Sequence, residues 1–292
     1  MKFAAILREG PAPLNEFMKI ATALADGTEQ LRSSSESPRL DAELLLAQAL
    51  DVPRSYLFAH PEDVLDPAAV DRFFTSINRR SSRLPLAYLT GEKEFWSMTL
   101  VVSPDTLVPR PETEVLVDQA LQRIPRSENF TVLDLGTGCG AIALAIAKER
   151  PNCDITATDI SEPALAVARQ NANQHALPNI EFLSGDWTAP VAGRVFDLIA
   201  SNPPYVPDAD PDLDRLGHEP QMALASGTDG LDAIRRISVE AKSVIKQGST
   251  LLIEHGDSQQ QEIARILAAD GWSEISHVND LAGKPRVTIA TR

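Results

Sequence analysis

Residues 202–205 read Asn-Pro-Pro-Tyr and directly follow FDLIAS, an apolar run that is typical of a buried strand. Because Asn202 precedes a proline, its backbone favours an extended conformation, while the two prolines hold φ near about −65° and donate no N–H. The Asn202 side-chain oxygen and the Pro203 carbonyl can therefore accept two hydrogens from one planar NH₂ group. This turn predicts a site for an amide or amino nitrogen, with Asn202, Pro203 and Tyr205 as catalytic residues and Pro204 as a further substrate contact. A purely structural turn is the alternative, but it would require neither of the signals that follow.

A second signal is the glycine-rich segment DLGTGCG, residues 134–140, which lies between a strand pattern and the helical run AIALAIAKE. Glycines at such a turn let a ligand approach the backbone closely, although tight turns and helix packing require glycine too. The spacing is GxGxG, and Ala141 stands where the dinucleotide pattern has its third glycine, which disfavours a nicotinamide cofactor. The predicted cofactor contacts in this loop are Gly136, Thr137, Gly138, Cys139 and Gly140.

Polar and aromatic residues also end the next two strands. Asp159 follows ITAT, roughly 20 residues after the loop, where a carboxylate can accept both hydroxyls of a ribose. A helix N-cap, in competition with Ser161, is the alternative. Asp186 and Trp187 end the following strand, and could hold the amine of an adenine and stack on its face, although ordinary burial of the tryptophan is also open. Three strand ends in succession predict one nucleoside-sized crevice, with Asn202 on its rim as a further cofactor contact.

Strands and helices must alternate to position these residues. From residue 130 onward, strand patterns alternate with helical ones, including helices over 139–149 and 161–175, and two strand patterns close the chain. This order predicts an α/β fold with a parallel sheet that has helices on both faces. The first eighty residues carry helical spacing instead, and residues 84–110 are rich in β-branched and aromatic residues and are closed by prolines at 109 and 111. We therefore predict a helical domain over 1–83, a β-hairpin linker over 84–110 and a catalytic domain over 111–292.

Composition restricts the ligands and the compartment. The 292 residues carry a formal net charge of −14, which argues against non-specific binding to phosphate backbones, so no direct nucleic-acid contact is expected. Two cysteines without metal-ligand spacing indicate neither a disulfide framework nor a metal site, and favour a reducing cytoplasm. The sequence lacks an apolar run of membrane-spanning length, so a soluble, unexported protein with no membrane contact is expected.

Further motifs carry a family resemblance. Besides the glycine loop, the ribose acid and NPPY, these are RLPLAYLTGEKEFW (83–96), LVPRPETE (107–114), HEPQMALASGTDGL (218–231), LLIEHG (251–256) and PRVTIATR (285–292). Together they resemble the HemK/PrmC family, the peptide chain release factor N(5)-glutamine methyltransferases. NPPY alone is shared with adenine-N6 methyltransferases, whereas PRPETE combined with EPxxAL is specific.

The resemblance implies a class I S-adenosylmethionine-dependent methyltransferase with a Rossmann-like, seven-stranded mixed sheet. Its helical N-terminal domain would help dock class 1 release factors, and the glutamine of their Gly-Gly-Gln motif would be methylated on the side-chain amide. It also implies that the glycine loop lines the methionine part of the cofactor, that Asp159 takes the ribose and that Trp187 lies against the adenine. Position 139 is more often Ser or Thr in the family, and Cys139 keeps that size. A monomer is expected.

Several further residues are given either no role or only a structural one. Phe95, Arg110, Glu112 and Thr113 match family motifs near the pocket without an assigned role. His218, Glu254 and His255 are expected to serve packing or capping, since no partner spacing suggests a metal or a triad. The acidic tract 208–214 is expected to be solvated, and we hypothesise that it forms a mobile lip over the substrate.

Other classes of protein stay open at this point. A nucleic-acid adenine-N6 methyltransferase would share GxGxG and NPPY, but it should also carry a basic recognition surface. A dehydrogenase is opposed by the glycine spacing, and a catalytically silent cofactor-binding scaffold is opposed by the intact acceptors of NPPY.

Overall fold

The computed structural model describes residues 18–127 and 129–292. The chain divides into two compact units between Thr90 and Gly91. The first 17 residues of the predicted helical domain lie outside the described residues. The boundaries predicted at residues 83 and 110 stay predictions.

The N-terminal unit is helical. Its helices are α1 (Ile20–Leu31), α2 (Pro38–Leu50), α3 (Arg54–Ala59), α4 (Pro67–Ser81) and α5 (Leu86–Thr90). Helix α4 begins where the Asp66 side chain accepts hydrogen bonds from the backbone N–H groups of Ala68 and Ala69, at 2.8 and 3.3 Å. Its buried face presents Phe73 and Ile77 to the core of this unit. The expectation of an N-terminal helical domain is confirmed.

A buried ion pair also holds this unit together. Asp41 of α2 is 3% exposed and accepts from Nε of Arg80 of α4 at 2.7 Å. The hydroxyls of Ser35 and Ser37 donate to the same carboxylate, at 2.7 and 3.0 Å. A buried charge needs such partners, because an uncompensated one is strongly destabilising.

A β-hairpin opens the second unit. Strands β1 (Glu92–Phe95) and β2 (Met98–Val101) are antiparallel, with Phe95 opposite Met98. The two turn residues, Trp96 and Ser97, have φ of 51° and 53°, as a type I′ hairpin turn requires. The hairpin lies against helix α8 (Glu162–Gln174), where the buried Asn171 side chain bonds both the N–H and the carbonyl of Val101, at 2.7 and 3.0 Å.

A seven-stranded mixed sheet forms the centre of the second unit. Its strands are β3 (Thr131–Leu135), β4 (Asp154–Asp159), β5 (Ile180–Ser184), β6 (Phe196–Ser201), β7 (Ile245–Glu254), β8 (Ser273–Asn279) and β9 (Pro285–Thr291). Their order is β5-β4-β3-β6-β7-β9-β8, and β9 is antiparallel to both of its neighbours while the first five strands are parallel. The predicted fold class is therefore confirmed.

Helices accompany the strands in chain order. Besides α8 they are α6 (Thr113–Arg123), α7 (Ala141–Glu149), α9 (Asp212–Arg215), α10 (Asp232–Glu240) and α11 (Gln260–Ala269). Helix α7 begins two residues later than the predicted 139, because Gly140 has a φ of 91° and belongs to the preceding loop. No helix within the described ranges combines the length and the apolar character needed to cross a membrane.

The topology determines where a ligand can bind. The chain runs outward from β3 through β4 to β5, and then returns so that β6 pairs with the other side of β3. At such a switch point the loops that leave neighbouring strands diverge, which opens a crevice at their carboxyl ends.

Candidate active site

A cavity of about 260 Å³ occupies this crevice. We name it the glycine-loop cavity. The predicted site residues that line it are Gly136, Gly138, Asp159, Asp186, Trp187, Asn202 and Pro204. The structure thus brings together residues from four different strand ends, as the sequence predicted.

The glycine loop turns its backbone toward this cavity. Gly136, Gly138 and Gly140 have φ values of 72°, 57° and 91°, which glycine adopts far more readily than other residues. Apart from its chain neighbours, no described residue has an atom within 4 Å of where a Cβ on Gly138 would lie, and Gly138 lines the cavity. A side chain there would therefore occupy space that is otherwise open to a ligand.

The other three loop residues support the loop from inside the protein. The Thr137 hydroxyl donates to Asp134 at 2.6 Å, and Cys139 is 3% exposed, so that burial raises the pKa of its thiol to about 12. A Cβ on Gly140 would approach Leu144 to 2.9 Å, which shows that this glycine lets helix α7 pack closely. None of the three lines the cavity, and their predicted contacts with a cofactor stay predictions.

Asp134 is a site-supporting residue that the sequence reasoning missed. It is fully buried in β3, and its Oδ2 accepts from the Thr137 hydroxyl and from the N–H of Ala143 at 3.3 Å, while Oδ1 has no hydrogen-bond partner in the part of the chain that the structure describes. Burial raises its pKa to about 7. An acid inside the apolar run FTVLDL was the available signal, because a buried carboxyl is retained only with partners.

Asp159 is available for a ligand at the end of β4. Its Oδ2 accepts from the N–H of Gly138 at 2.8 Å, and its Oδ1 accepts from the N–H of Ser161 at 2.9 Å. Ser161, not Asp159, caps helix α8, because its hydroxyl accepts from Ala164 at 3.2 Å. Burial raises the pKa of Asp159, although those backbone bonds oppose the rise. Each carboxylate oxygen can still accept a second hydrogen bond.

Asp186 and Trp187 form the wall beyond β5. The Trp187 ring lies beside Gly136, where a Cβ would come within 3.4 Å of Cζ3. The Trp187 carbonyl accepts from the Thr158 hydroxyl at 3.0 Å, which holds the residue at a φ of 43°. Asp186 is paired with Arg236 at 2.7 Å, so one of its oxygens already has a cationic partner.

The NPPY turn follows β6 and is held on both sides. The Asn202 Nδ2 donates to the Thr113 hydroxyl at 3.3 Å, and the Tyr205 carbonyl accepts from Gln259 at 2.9 Å. Beyond the turn, Val206 exchanges backbone hydrogen bonds with the HEPQMALASGTDGL motif, through Leu224 and Ser226, both at 2.9 Å. The Asn202 amide nitrogen is therefore engaged by the protein, and its Oδ1 is the atom left for a ligand donor.

A second cavity, of about 440 Å³, lies on the other side of Asn202. We name it the Tyr205 cavity. Its wall includes Arg110, Tyr205, Gly256 and Arg286. Residues shared by the two cavities are Leu107, Asn202 and Ala223. Asn202 thus borders both a space whose wall includes glycines and three aspartates and a space whose wall includes two arginines and a tyrosine.

The two family-specific motifs meet at this boundary. Arg110 of PRPETE forms an ion pair with Glu219 of the HEP sequence, whose side chain is only 2% exposed. The other oxygen of Glu219 accepts from the N–H of Val108 at 3.0 Å. Two segments that are more than 100 residues apart are thereby joined, which assigns a structural role to Arg110 that its spacing alone did not indicate.

The remaining motif residues take different positions. Phe95 is buried at the end of β1, and Thr113 reaches Asn202 as described. His255 is also buried, with Nε2 2.8 Å from the Thr288 hydroxyl and Nδ1 2.8 Å from the Gly256 carbonyl. Burial lowers its pKa to about 4, which fits the packing role expected for it.

Comparisons with known proteins agree with this fold and crevice. A family model described as a methyltransferase domain matches residues 126–281. Among solved structures, a methyltransferase from Pyrococcus furiosus superposes with a TM-score of 0.52 at 20% identity, covering 75% of this chain and 96% of that chain. The class that the fold and site define is the Rossmann-like methyltransferases.

The particular family follows from matches over nearly the whole chain. Residues 22–91 match the PrmC N-terminal domain model. The release factor glutamine methyltransferase of Coxiella burnetii is 46% identical over 275 residues, covering 94% of this chain and 99% of that protein. The protein of the same name from Escherichia coli is 40% identical, with coverage of 91% and 96%. The chain belongs to the release factor glutamine methyltransferase family, as its motifs predicted.

Proposed function

We propose that this protein transfers a methyl group from S-adenosylmethionine to the side-chain amide nitrogen of the glutamine in the Gly-Gly-Gln motif of class 1 release factors. The observation that carries the proposal is the position of Asn202 between the two cavities, with its amide nitrogen bonded to Thr113 and its oxygen left for a donor. The names of the relatives support the same reaction.

The glycine-loop cavity fits S-adenosylmethionine. Gly138 leaves room beside the backbone for its methionine part, and Asp159 offers carboxylate oxygens to the ribose. Trp187 supplies an aromatic face for the adenine, with Asp186 beside it. When bound, the cofactor supplies a methyl group on a sulfonium centre, and S-adenosylhomocysteine is the product.

Asn202 and Pro203 would orient the substrate amide. A primary amide nitrogen is a poor nucleophile, because its lone pair is delocalised into the carbonyl. If both N–H groups donate, one to Asn202 Oδ1 and one to the Pro203 carbonyl, the lone pair faces the glycine-loop cavity. Positioning of this kind can contribute about 7–11 kcal/mol in well-oriented systems. The same acceptors stabilise the positive charge that develops on nitrogen, and Tyr205 and Pro204 flank the side chain.

Docking, assembly and location remain parts of the proposal. The helical N-terminal domain, predicted over 1–83, would contact the release factor, with 84–110 as linker and 111–292 as catalytic domain. A monomer, a cytoplasmic location and the lack of direct nucleic-acid contact stay predictions from the sequence, as does the mobile lip over 208–214. Within that tract Asp210 and Asp212 line the Tyr205 cavity, where a moving segment could reach the substrate.

The test is transfer of labelled methyl from S-adenosylmethionine to purified class 1 release factor. The same factor with its Gly-Gly-Gln glutamine changed to alanine, and duplex DNA, serve as parallel acceptors. We expect label on the intact factor alone. Label on the alanine variant would contradict the assigned glutamine, and label on DNA would favour a nucleic-acid adenine methyltransferase.

A further inference from the structure

The orientation of the Asn202 side chain is a chemical problem in this site. The oxygen and nitrogen ends of a carboxamide are nearly equal in size, so only their hydrogen-bond partners distinguish them. The proposed reaction needs the oxygen toward the substrate, because a substrate NH₂ group has only donors to offer. A group of the protein must therefore accept a hydrogen bond from Nδ2 and be unable to donate one to Oδ1.

Thr113 is the group that contacts Nδ2. It is 3% exposed at the first turn of α6, and its hydroxyl oxygen lies 3.3 Å from Nδ2 of Asn202. A hydroxyl can accept, but it also carries one proton that it could donate to Oδ1 if the amide were reversed. Thr113 therefore holds the Asn202 carboxamide in one orientation only if the hydroxyl proton is donated to another acceptor.

Glu254 lies where it can take that proton. It is fully buried at the end of β7, where Ile253 pairs with Ser201, the residue before Asn202, and neither carboxyl oxygen has a hydrogen-bond partner among the described residues. The hydroxyls of Thr113 and Tyr205 nevertheless lie close enough to favour its charged form. An unpartnered buried carboxyl is costly, so its retention calls for an explanation.

The surroundings of Glu254 come from several elements. Thr113 belongs to α6 and Glu112 precedes it, Arg286 lies on β9, and Tyr205 follows β6. Burial raises the pKa of Glu254 to about 7, and Glu112 adds to the rise, while Thr113, Arg286 and Tyr205 oppose it. Deprotonation at or above neutral pH leaves a group that can only accept.

We infer that Glu254 and Thr113 form a positioning relay that holds the Asn202 carboxamide with its oxygen toward the substrate. In this relay the ionised Glu254 carboxylate takes the single proton of Thr113 once the hydroxyl turns toward it, so the Thr113 oxygen can then only accept from Nδ2. The same carboxylate lies beside the Tyr205 hydroxyl, so one buried group supports both the acceptor and the aromatic wall of the NPPY turn. This inference rests on the proposed function.

Two substitutions of Thr113 separate this role from packing. Thr113→Val keeps the volume and removes the hydroxyl, whereas Thr113→Ser keeps the hydroxyl and removes a methyl group. The relay predicts that Thr113→Val lowers kcat roughly tenfold, the size expected for a lost buried hydrogen bond, while Thr113→Ser keeps most of it. The KM for S-adenosylmethionine should stay unchanged in both. The reverse ranking, with the valine variant the more active, would mean that Thr113 only fills space and would overturn the inference.

Glu254→Gln tests the other member. A glutamine can donate from its NH₂ group to the Thr113 oxygen, which frees the threonine proton and permits the reversed amide. We expect a lower kcat and the loss of the acid limb that protonation of Glu254, near pH 7, should give the wild-type pH–rate profile. A Glu254→Gln enzyme with the wild-type kcat and profile would exclude Glu254 from the relay.

A readout that needs no substrate keeps this inference distinct from the proposed function. In protein labelled with ¹⁵N-asparagine, the Asn202 side-chain amide signals can be assigned by their loss in Asn202→Ala. The relay predicts that Thr113→Val and Glu254→Gln shift these signals and speed their hydrogen exchange, while Thr113→Ser leaves them near their wild-type positions. This pattern would support the relay even if the wild-type enzyme methylated no release factor, and unchanged signals in all three variants would refute it.

Discussion

The two cavities that meet at Asn202 are built in different ways. The glycine-loop cavity collects residues from the ends of β3, β4, β5 and β6, which adjoin one another in the sheet. The Tyr205 cavity instead joins segments from distant parts of the chain, among them Arg110, Tyr205, Gln259 and Arg286. Parallel strands bring their carboxyl ends to one edge automatically, whereas the second cavity depends on how loops and β9 pack afterwards. The first should therefore tolerate changes that disable the second.

The largest expected effect is that of Asn202→Ala. Loss of the acceptor that orients the substrate should reduce turnover by roughly 10² or more, in line with the loss of one preorganised hydrogen-bonding group. Binding of S-adenosylmethionine, measured by calorimetry, should be largely retained, because Gly136, Gly138 and Asp159 remain. Single-turnover methyl transfer to a release factor measures the first quantity.

Asn173→Ala, on the exposed face of α8, is the matched control and should keep full turnover. A cofactor affinity that fell as far as turnover in Asn202→Ala would show that the two cavities are not separable at this residue.

Asp159→Asn should have the opposite effect, because it should weaken cofactor binding in the glycine-loop cavity and leave the Tyr205 cavity intact. The loss of charge-assisted hydrogen bonds should weaken S-adenosylmethionine binding roughly tenfold to a hundredfold. The KM for the release factor should change little, because Asp159 does not line the Tyr205 cavity. Asp154→Asn, at the exposed start of the same strand, should leave both constants unchanged. Equal losses in the two constants would contradict the proposed division of labour.

Gly230→Ala should damage the Tyr205 cavity selectively. Gly230 has a φ of 76°, and a Cβ there would overlap the carbonyl oxygen of Tyr205. We expect a loss of about 1–3 kcal/mol in the free energy of unfolding, from chemical denaturation, and a reduced rate of methyl transfer. Cofactor binding should be less affected.

Gly283→Ala separates backbone strain from this collision. Gly283 has a φ of 78°, and a Cβ there would meet no atom of the described residues within 4 Å, its chain neighbours aside. This variant should lose stability from backbone strain alone and retain the wild-type transfer rate. Equal rates in Gly230→Ala and Gly283→Ala would mean that the position of the Tyr205 carbonyl does not matter for catalysis.

The last expected effect is a change of stability with pH, and it concerns the buried acids behind the two cavities. Burial raises the pKa of Glu254 from its ordinary value of 4.5 to about 7, so the folded state holds its proton longer than the unfolded state as pH rises. Stability from this group is present below about pH 4.5 and is lost as pH rises through 7. The Glu254→Gln variant does not lose stability in this way, because glutamine does not ionise. The Tm of the variant minus that of the wild type should therefore be more positive at pH 8 than at pH 5.

The other buried acid, Asp134, does not affect this difference in Tm. Its pKa is also raised to about 7, but it is present in both proteins, so its contribution cancels in the difference. A Tm difference that did not change with pH would indicate that Glu254 ionises equally in the folded and unfolded states.

The sequence by itself determined the sheet and the strand-end part of the glycine-loop cavity, whereas packing adds Asp105, Leu107 and Pro220 to its wall. Alternating strand and helix patterns predict parallel strands, and the polar residues at Asp159 and Asn202 come directly after apolar runs, so their meeting follows from topology. Element limits were less well predicted. The helix expected from 139 begins at Ala141, because the positive φ of Gly140 is a property of the folded loop.

The tertiary structure alone decided the second half of the site. No local pattern indicates that Arg110 pairs with Glu219, that Thr113 contacts Asn202, or that Glu254 is buried beside Thr113. These contacts link residues about 90 to 140 positions apart. The packing of α6 and β9 around β7 determines such partners. A side-chain hydrogen bond produces no periodic pattern in the sequence, whereas burial of a helix face or a strand does.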